Sequence, residues 1–275
     1  MKIRHNDKKK VKEFYDFVSP FFQELWGDHL HHGYWVRGDE SRPIAQAQLV
    51  EHLAKSAGIL PGRQVLDIGC GIGGSSIHLC KKYQATTTGI TISPVQVEMA
   101  KKAASARGVN ANFLVMDAEA MQFDRQFDVI WSVESVSHYQ DIPKFFDMAA
   151  KILRPNGKLA LIDWFKKENL DHEQYRKYIL PIEKGMLVEL GTMQDYQRMM
   201  TTSGLQIMAS EIMNEPCAKT WKVGADIVKS PALWKLAAKN GSMFLDFLRA
   251  FRAMNLGFST GNFVYGMIVA QHAEP

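Results

Sequence analysis

The run Gln64-Val65-Leu66-Asp67-Ile68-Gly69-Cys70-Gly71-Ile72-Gly73-Gly74-Ser75-Ser76 limits the fold more than any other stretch of this chain. Gln64 to Ile68 is a short aliphatic run with one acid near its end, the pattern of a buried strand. Gly69, Gly71 and Gly73 allow a sharp turn and let a ligand approach the backbone without meeting a Cβ. Ser75 and Ser76 then open a segment to Tyr83 of helical character. Strand, glycine turn and helix in that order place a nucleotide-like ligand at the carboxyl end of a parallel strand.

The spacing Gly69-x-Gly71-x-Gly73-Gly74 departs from the Gly-x-Gly-x-x-Gly of dinucleotide sites. Those sites also carry an acid at the end of the second strand for the ribose hydroxyls. Here the second strand, 86–92, ends in Gly89-Ile90-Thr91-Ile92-Ser93-Pro94, with hydroxyls in place of a carboxylate. A nicotinamide oxidoreductase is therefore disfavoured. A nucleoside without a pyrophosphate, held by backbone, hydroxyls and Asp67, fits better.

Around this motif strands and helices alternate. Strands are expected near 64–68, 86–92, 111–116, 127–133 and 157–164, and helices near 74–83, 94–107 and 142–153. Such alternation implies an α/β fold with a mostly parallel, Rossmann-like sheet covered by helices on both faces. After the fifth strand the pattern breaks. A helical excursion spans 166–191, a helix and strand fall near 192–203 and 205–213, and a second excursion, 216–260, holds Trp221, Trp234, Phe244, Phe247, Phe251 and Phe258. The last strand lies near 262–271, the seventh of the sheet. Lys10 to Trp26 has helical apolar spacing, which Pro20 is expected to kink or interrupt, and Pro43 opens a second helix to about Ala57. One domain, 1–275, is expected. Its core is about 59–165, 192–213 and 262–271, and its helical cap is about 1–58, 166–191 and 216–260.

Composition narrows the function classes. A net charge of +4 over 275 residues, with no concentrated basic face, argues against nucleic acid. Lys8-Lys9-Lys10 reads as a solvated helix start. Cys70, Cys80 and Cys217 have no metal-like spacing, and their odd number fits a reducing, cytoplasmic setting. Cys70 suits a tight turn as a small residue. No stretch reaches the roughly 20 apolar residues of a membrane span. His29, His31 and His32 share one loop without a fourth ligand group, so they are expected to line a lid and no metal is expected.

The segments Asp67-Ile68-Gly69-Cys70-Gly71-Ile72-Gly73-Gly74 and Gly89-Ile90-Thr91-Ile92-Ser93-Pro94-Val95-Gln96 resemble the class I S-adenosylmethionine (SAM)-dependent methyltransferases. Within that class the chain is similar to the γ-tocopherol methyltransferase-like group, which includes plant alkaloid N-methyltransferases. Sterol and cyclopropane-fatty-acid methyltransferases are more distant relatives. Matching pieces elsewhere are Trp26-Gly27-Asp28-His29-Leu30-His31-His32-Gly33-Tyr34, Asp117-Ala118-Glu119, Trp131-Ser132-Val133-Glu134-Ser135 with His138, and Leu153-Arg154-Pro155-Asn156-Gly157. The likeness covers about 11–165 and returns at Val264-Tyr265-Gly266-Met267-Ile268.

The resemblance implies SAM as cofactor and S-adenosylhomocysteine as product. Asp67, Gly69, Gly71 and Gly73 form the cofactor loop, with Asp67 either receiving the ligand's amine or ordering the loop. Thr91, Ser93 and Gln96 stand where ribose contacts belong, although Ser93 is equally an N-cap. Asp117 is expected to take the adenine amino group, with Ala118 beside it, and Ser132 to touch the cofactor. His138 falls beside the methyl group, as a base or as a pocket wall. Glu134 is a pair partner, a substrate anchor or an acid/base, and Tyr15 a pocket group. The reaction is then in-line transfer of the methyl group to a small, largely apolar, ring-bearing or isoprenoid acceptor, at carbon or nitrogen first. The alternatives are C-methylation of a prenyl diphosphate and a non-catalytic SAM-binding protein. A homo-oligomer is compatible with the sequence.

Overall fold

The computed structural model describes residues 6–228 and 241–272; Trp234 falls outside them. Seven strands form one sheet: β1 (Gln64–Ile68), β2 (Thr86–Thr91), β3 (Asn112–Val115), β4 (Phe127–Val133), β5 (Leu153–Lys166), β6 (Leu205–Ile212) and β7 (Phe263–His272). Their order is β3-β2-β1-β4-β5-β7-β6. The first five run parallel, and β7 lies antiparallel between β5 and β6.

Alternate side chains of the parallel strands enter two apolar layers. In β4, Trp131 faces Leu49 and Leu53 of α2 (Arg42–Ala57), whereas Ile130 joins Phe145 and Phe146 of α5 (Ile142–Ile152). Each large side chain so buried contributes about 1.5–3 kcal/mol. Both faces being covered, β4 and the second half of β5 are buried almost without interruption, where a half-exposed strand would alternate. The chain leaves β1 toward β2 on one side, while β4 lies on the other side. This strand-order reversal opens a crevice above the carboxyl ends of β1 and β4.

Helices α3 (Gly74–Tyr83) and α4 (Pro94–Ala106) follow β1 and β2. Over the crevice stand α1 (Lys8–Trp26), α10 (Lys219–Val228) and α11 (Gly241–Ser259). The 166–191 excursion contains the short helices α6 (His172–Gln174) and α7 (Leu180–Met186), joined by a π-helical turn at Tyr175–Ile179. Helix α8 (Met193–Thr202) precedes β6, and α9 (Asn214–Cys217) leads into α10.

Two local expectations are corrected. Helix α1 runs unbroken through Pro20. Proline removes the backbone donor that would meet the Asp16 carbonyl, but the buried stripe Val11, Phe14 and Val18 holds the helix against the body. Strand β5 begins four residues earlier than expected, at Leu153, because Phe127 pairs with Leu153 before the register shifts to Val129 and Lys158.

Candidate active site

A cavity of about 260 Å³ lies in the crevice, roofed by α1, the 28–32 loop, α10 and α11. Its floor contains Asp67, Gly69, Gly71, Thr91, Gln96, Asp117 and Ala118, and its other half contains Tyr15, His32, Glu134, His138, Trp164 and Trp221.

The floor follows from the loop after β1. Gly69 and Gly71 have φ of +72° and +52°, where L side chains are strained. A Cβ at Gly69 would collide with Ser135; one at Gly71 would have Leu30 as its nearest neighbour at 3.8 Å and would project into the cavity. Asp67 accepts the Ser76 hydroxyl at 2.6 Å, and its burial pushes its pKa up to about 7. Thr91 donates to Gln96 Oε1 at 2.7 Å, and Gln96 Nε2 donates to Ser19 of α1 at 3.0 Å. Asp117 accepts the Glu119 N–H at 2.9 Å and pairs with Lys8 at 2.7 Å. Lys8 also meets Glu119 at 2.9 Å, so it is a wall group rather than part of a solvated run.

Three residues expected at the cofactor stand outside the cavity wall. Gly73 is the N-cap of α3, and a Cβ there would meet Phe113 at 2.8 Å and Ala100 at 2.9 Å, so the close packing of the turn requires a glycine. Ser93 caps α4 through Gln96 N–H at 3.1 Å and donates to Asp16 at 2.5 Å. Ser132 is buried within β4, its hydroxyl without a hydrogen-bond partner, because the strand's pleat turns it into the sheet's covering layer.

In the other half, His138 sits on a one-turn helix, Val136–His138. Its Nδ1–H donates to the Leu187 carbonyl at 3.0 Å, leaving Nε2 as an acceptor for the Tyr15 hydroxyl at 2.9 Å. Burial pushes the His138 pKa down to about 4, so the ring is neutral. Burial raises the Tyr15 phenol, with Glu134 and Asp163 adding to the shift. Glu134 has φ of +54°, and its Oε1 accepts the His32 N–H at 2.7 Å, His32 Nδ1–H at 2.9 Å and Tyr265 O–H at 2.7 Å. Burial pushes this carboxyl up, but the charge and hydrogen bonds of His32 outweigh it and hold the group below its usual range. His32 stacks on Tyr265 at 4.4 Å and meets Trp221 edge-on at 5.1 Å.

Several of these participants were not legible in sequence. Lys8, Asp16 and Ser19 lie at helical spacing on one polar flank of α1, a pattern that any solvated helix shows. The Leu187 carbonyl and Tyr265 reach the site from distant segments. His31 donates Nδ1–H to the His32 carbonyl at 2.7 Å, so its Nε2 accepts His29 Nδ1–H at 3.0 Å. Among the described residues no group of three His, Cys, Asp or Glu is placed to hold a metal ion.

The floor fits a SAM molecule. The open space over Gly71 admits a ligand against the backbone, and Asp67 is a buried acid suited to an ammonium group. A parallel sheet with β7 reversed, a glycine loop after β1 and an acid after β3 define a SAM-dependent methyltransferase. Residues 2–250 match the family model described as mycolic acid cyclopropane synthetase, and the chain belongs to that family. It is 28% identical to a chloroplastic tocopherol O-methyltransferase of Arabidopsis thaliana, over 96% of this chain and 82% of that protein. It is 32% identical to a 27-O-demethylrifamycin SV methyltransferase of Amycolatopsis mediterranei (strain S699), over 88% of this chain and 91% of that protein. Among solved structures, the mycolic acid cyclopropane synthase CmaA1, complexed with SAH and CTAB, shares the fold with a TM-score of 0.85 at 18% identity, covering 98% of this chain and 99% of that one. The cyclase SpnF has the same TM-score, 0.85, at 22% identity, covering 97% and 96%. Among the described residues no helix is long and apolar enough to cross a membrane.

Proposed function

We propose that this single catalytic domain methylates a largely apolar, ring-bearing acceptor whose reacting group gives up a proton, and that Tyr15 and His138 receive that proton. SAM supplies an activated methyl group, so positioning and charge stabilisation carry most of the rate. Gly69, Gly71 and Asp117 hold the donor, and Asp67, which orders the loop through Ser76, faces the donor's ammonium group. The acceptor enters the chamber of Trp164, Trp221, Phe247 and Phe251. Its hydroxyl or amine donates to Tyr15 as the Tyr15 proton moves to the bare Nε2 of His138. A neutral imidazole is ready for that role at pH 7, and Leu187 fixes its tautomer. Glu134, locked by His32 and Tyr265, offsets positive charge beside the acceptor. The Tyr15–His138 hydrogen bond inside a largely aromatic chamber is the observation that carries this reading. The relatives named for tocopherol and demethylrifamycin substrates support it, and the three free cysteines support a reducing, cytoplasmic setting.

C-methylation of a prenyl diphosphate is the second reading, supported by the shared fold of geranyl diphosphate C-methyltransferase from Streptomyces coelicolor A3(2). Against it, Lys8 is the one lysine or arginine among the described lining residues and is paired with two carboxylates, while Arg249 pairs with Asp246. The test is incubation with SAM and, separately, 2-methyl-6-phytyl-1,4-hydroquinone, 27-O-demethylrifamycin SV and geranyl diphosphate, followed by S-adenosylhomocysteine release and mass gain of one CH₂. Gain on a phenolic acceptor supports the main reading and gain on geranyl diphosphate the second. SAM binding without turnover of any acceptor points to a non-catalytic binding protein.

A further inference from the structure

One buried carboxylate beside the cavity is not used by the chemistry above. Asp163 of β5 is fully buried, and the charge that most affects it is the Glu134 carboxylate rather than a cation. The phenols of Tyr15, Tyr139, Tyr196 and Tyr265 feel its charge, and none of them supplies a positive one. An apolar side chain would serve the core better, since burying an unpaired carboxylate is costly.

Its hydrogen bonds say what it holds. Ser137 donates twice, from N–H to Oδ2 at 3.0 Å and from its hydroxyl to Oδ1 at 2.9 Å, and Trp164 N–H donates to Oδ1 at 2.7 Å. Ser137 immediately precedes His138 in the one-turn helix, and that helix has no side-chain cap of its own. On the opposite side, the Ser137 carbonyl accepts Glu189 N–H at 2.9 Å, and the Leu187 carbonyl, carried by a residue with φ of +56°, accepts His138 Nδ1–H at 3.0 Å. The turn is thus gripped by the sheet on one side and by the 166–191 excursion on the other.

We propose that Asp163 is a positioning residue that clamps Ser137, so that the imidazole of His138 keeps Nδ1–H on Leu187 and presents a bare Nε2 to Tyr15. This rests on the reading of His138 as the proton acceptor. An acid suits the position because the two N–H groups it meets need acceptors, and the Ser137 hydroxyl can donate to it when it is ionised or accept from it when it is protonated; the fixed NH₂ of an amide would oppose one of the N–H groups.

The test is ¹⁵N-histidine NMR on the full-length protein, with the His138 signal assigned by its loss in His138→Gln. The wild type shows a protonated Nδ1 and a bare Nε2. In Asp163→Asn this single tautomer gives way to a mixture. Turnover of an acceptor from the panel falls by about 10- to 100-fold, the scale of a small misplacement, while S-adenosylhomocysteine binds as before. In a His138→Gln background, Asp163→Asn causes no further loss. If Asp163→Asn keeps the wild-type tautomer, or costs as much in the His138→Gln background as in the wild type, the clamp is only packing and the proposal is overturned. A wild-type ring protonated at Nε2 overturns the base reading itself, whatever Asp163→Asn does, and removes the reason for the clamp. Should Asp163→Asn not fold, Ser137→Ala deletes one of the three hydrogen bonds and carries the same expectations at smaller amplitude.

Discussion

Gly71 and Glu134 sit across the crevice with φ of +52° and +54°, conformations that most side chains avoid. At Gly71 the missing Cβ leaves space for a ligand. Gly71→Val adds about 1–3 kcal/mol of backbone strain and fills that space. The expected outcome is a folded protein with a lowered melting temperature and no detectable S-adenosylhomocysteine binding by calorimetry; wild-type affinity would contradict the cofactor assignment. At Glu134 a cost of the same order is offset by three hydrogen bonds to one oxygen. Tyr15→Phe leaves the packing and removes only the hydroxyl that links an acceptor to His138. Turnover is expected to fall by about 10²- to 10⁴-fold, the usual range for general-base assistance, with donor affinity unchanged. Equal rates for the two proteins would demote Tyr15 to a wall residue. The sequence told less about such pairs than about the glycine loop. Gly69 and Gly71 announce themselves because a turn demands their type, whereas any tyrosine in an amphipathic helix fits the core as well as a site.

Helix α1 is bonded to both halves of the site and to the groups beside it. Lys8 reaches Asp117 and Glu119, Tyr15 reaches His138, Asp16 reaches Ser93, and Ser19 reaches Gln96. Every one of these contacts ends on or beside a donor-side or catalytic group, so the helix closes where the donor is expected. Lys8 is 37% exposed, and its ion pairs are correspondingly weak. Lys8→Ala is expected to leave the melting temperature nearly unchanged and to weaken S-adenosylhomocysteine by at most about fivefold, the equivalent of ~1 kcal/mol. Hydrogen exchange of the 8–26 amides should slow on donor binding in the wild type and slow less in the variant; identical protection in both would separate α1 from the donor. The alternating βα pattern was readable because each strand and helix follows its own hydrophobic period, and Gly, Pro and Ser mark their ends. The extra length of β5 and the continuity of α1 were not, because register and packing against distant segments override local signals. The same holds for Ser132 and Ser93, whose neighbours in sequence match a cofactor motif while their side chains face a covering layer and a helix cap.

At the scale of the whole molecule, the rim of the sheet carries buried ionisable groups that pull its stability in opposite directions with pH. Burial pushes both Asp67 and Asp163 up to about 7 and His138 down to about 4. For the two carboxyls the folded chain holds protons that the unfolded chain has already lost. Their contribution is complete below the ordinary carboxylate pKa and is lost as pH rises toward about 7. For His138 the unfolded chain takes up the proton first, so its contribution is lost as pH falls from the ordinary histidine range toward about 4. Asp67→Asn isolates one of these terms, because the amide does not titrate and the histidines cancel in the comparison. Relative to the wild type, the variant should gain stability between about pH 5 and about pH 8, by an amount on the order of a few kcal/mol. A donor ammonium placed near Asp67 favours its charged form, so saturating S-adenosylhomocysteine should narrow the gap at the higher pH. Thermal melts of both proteins at the two pH values, with and without that ligand, check both parts. A gap that does not grow with pH would mean that Asp67 is already ionised in the free protein, and a gap untouched by ligand would place the ammonium away from the tip of β1.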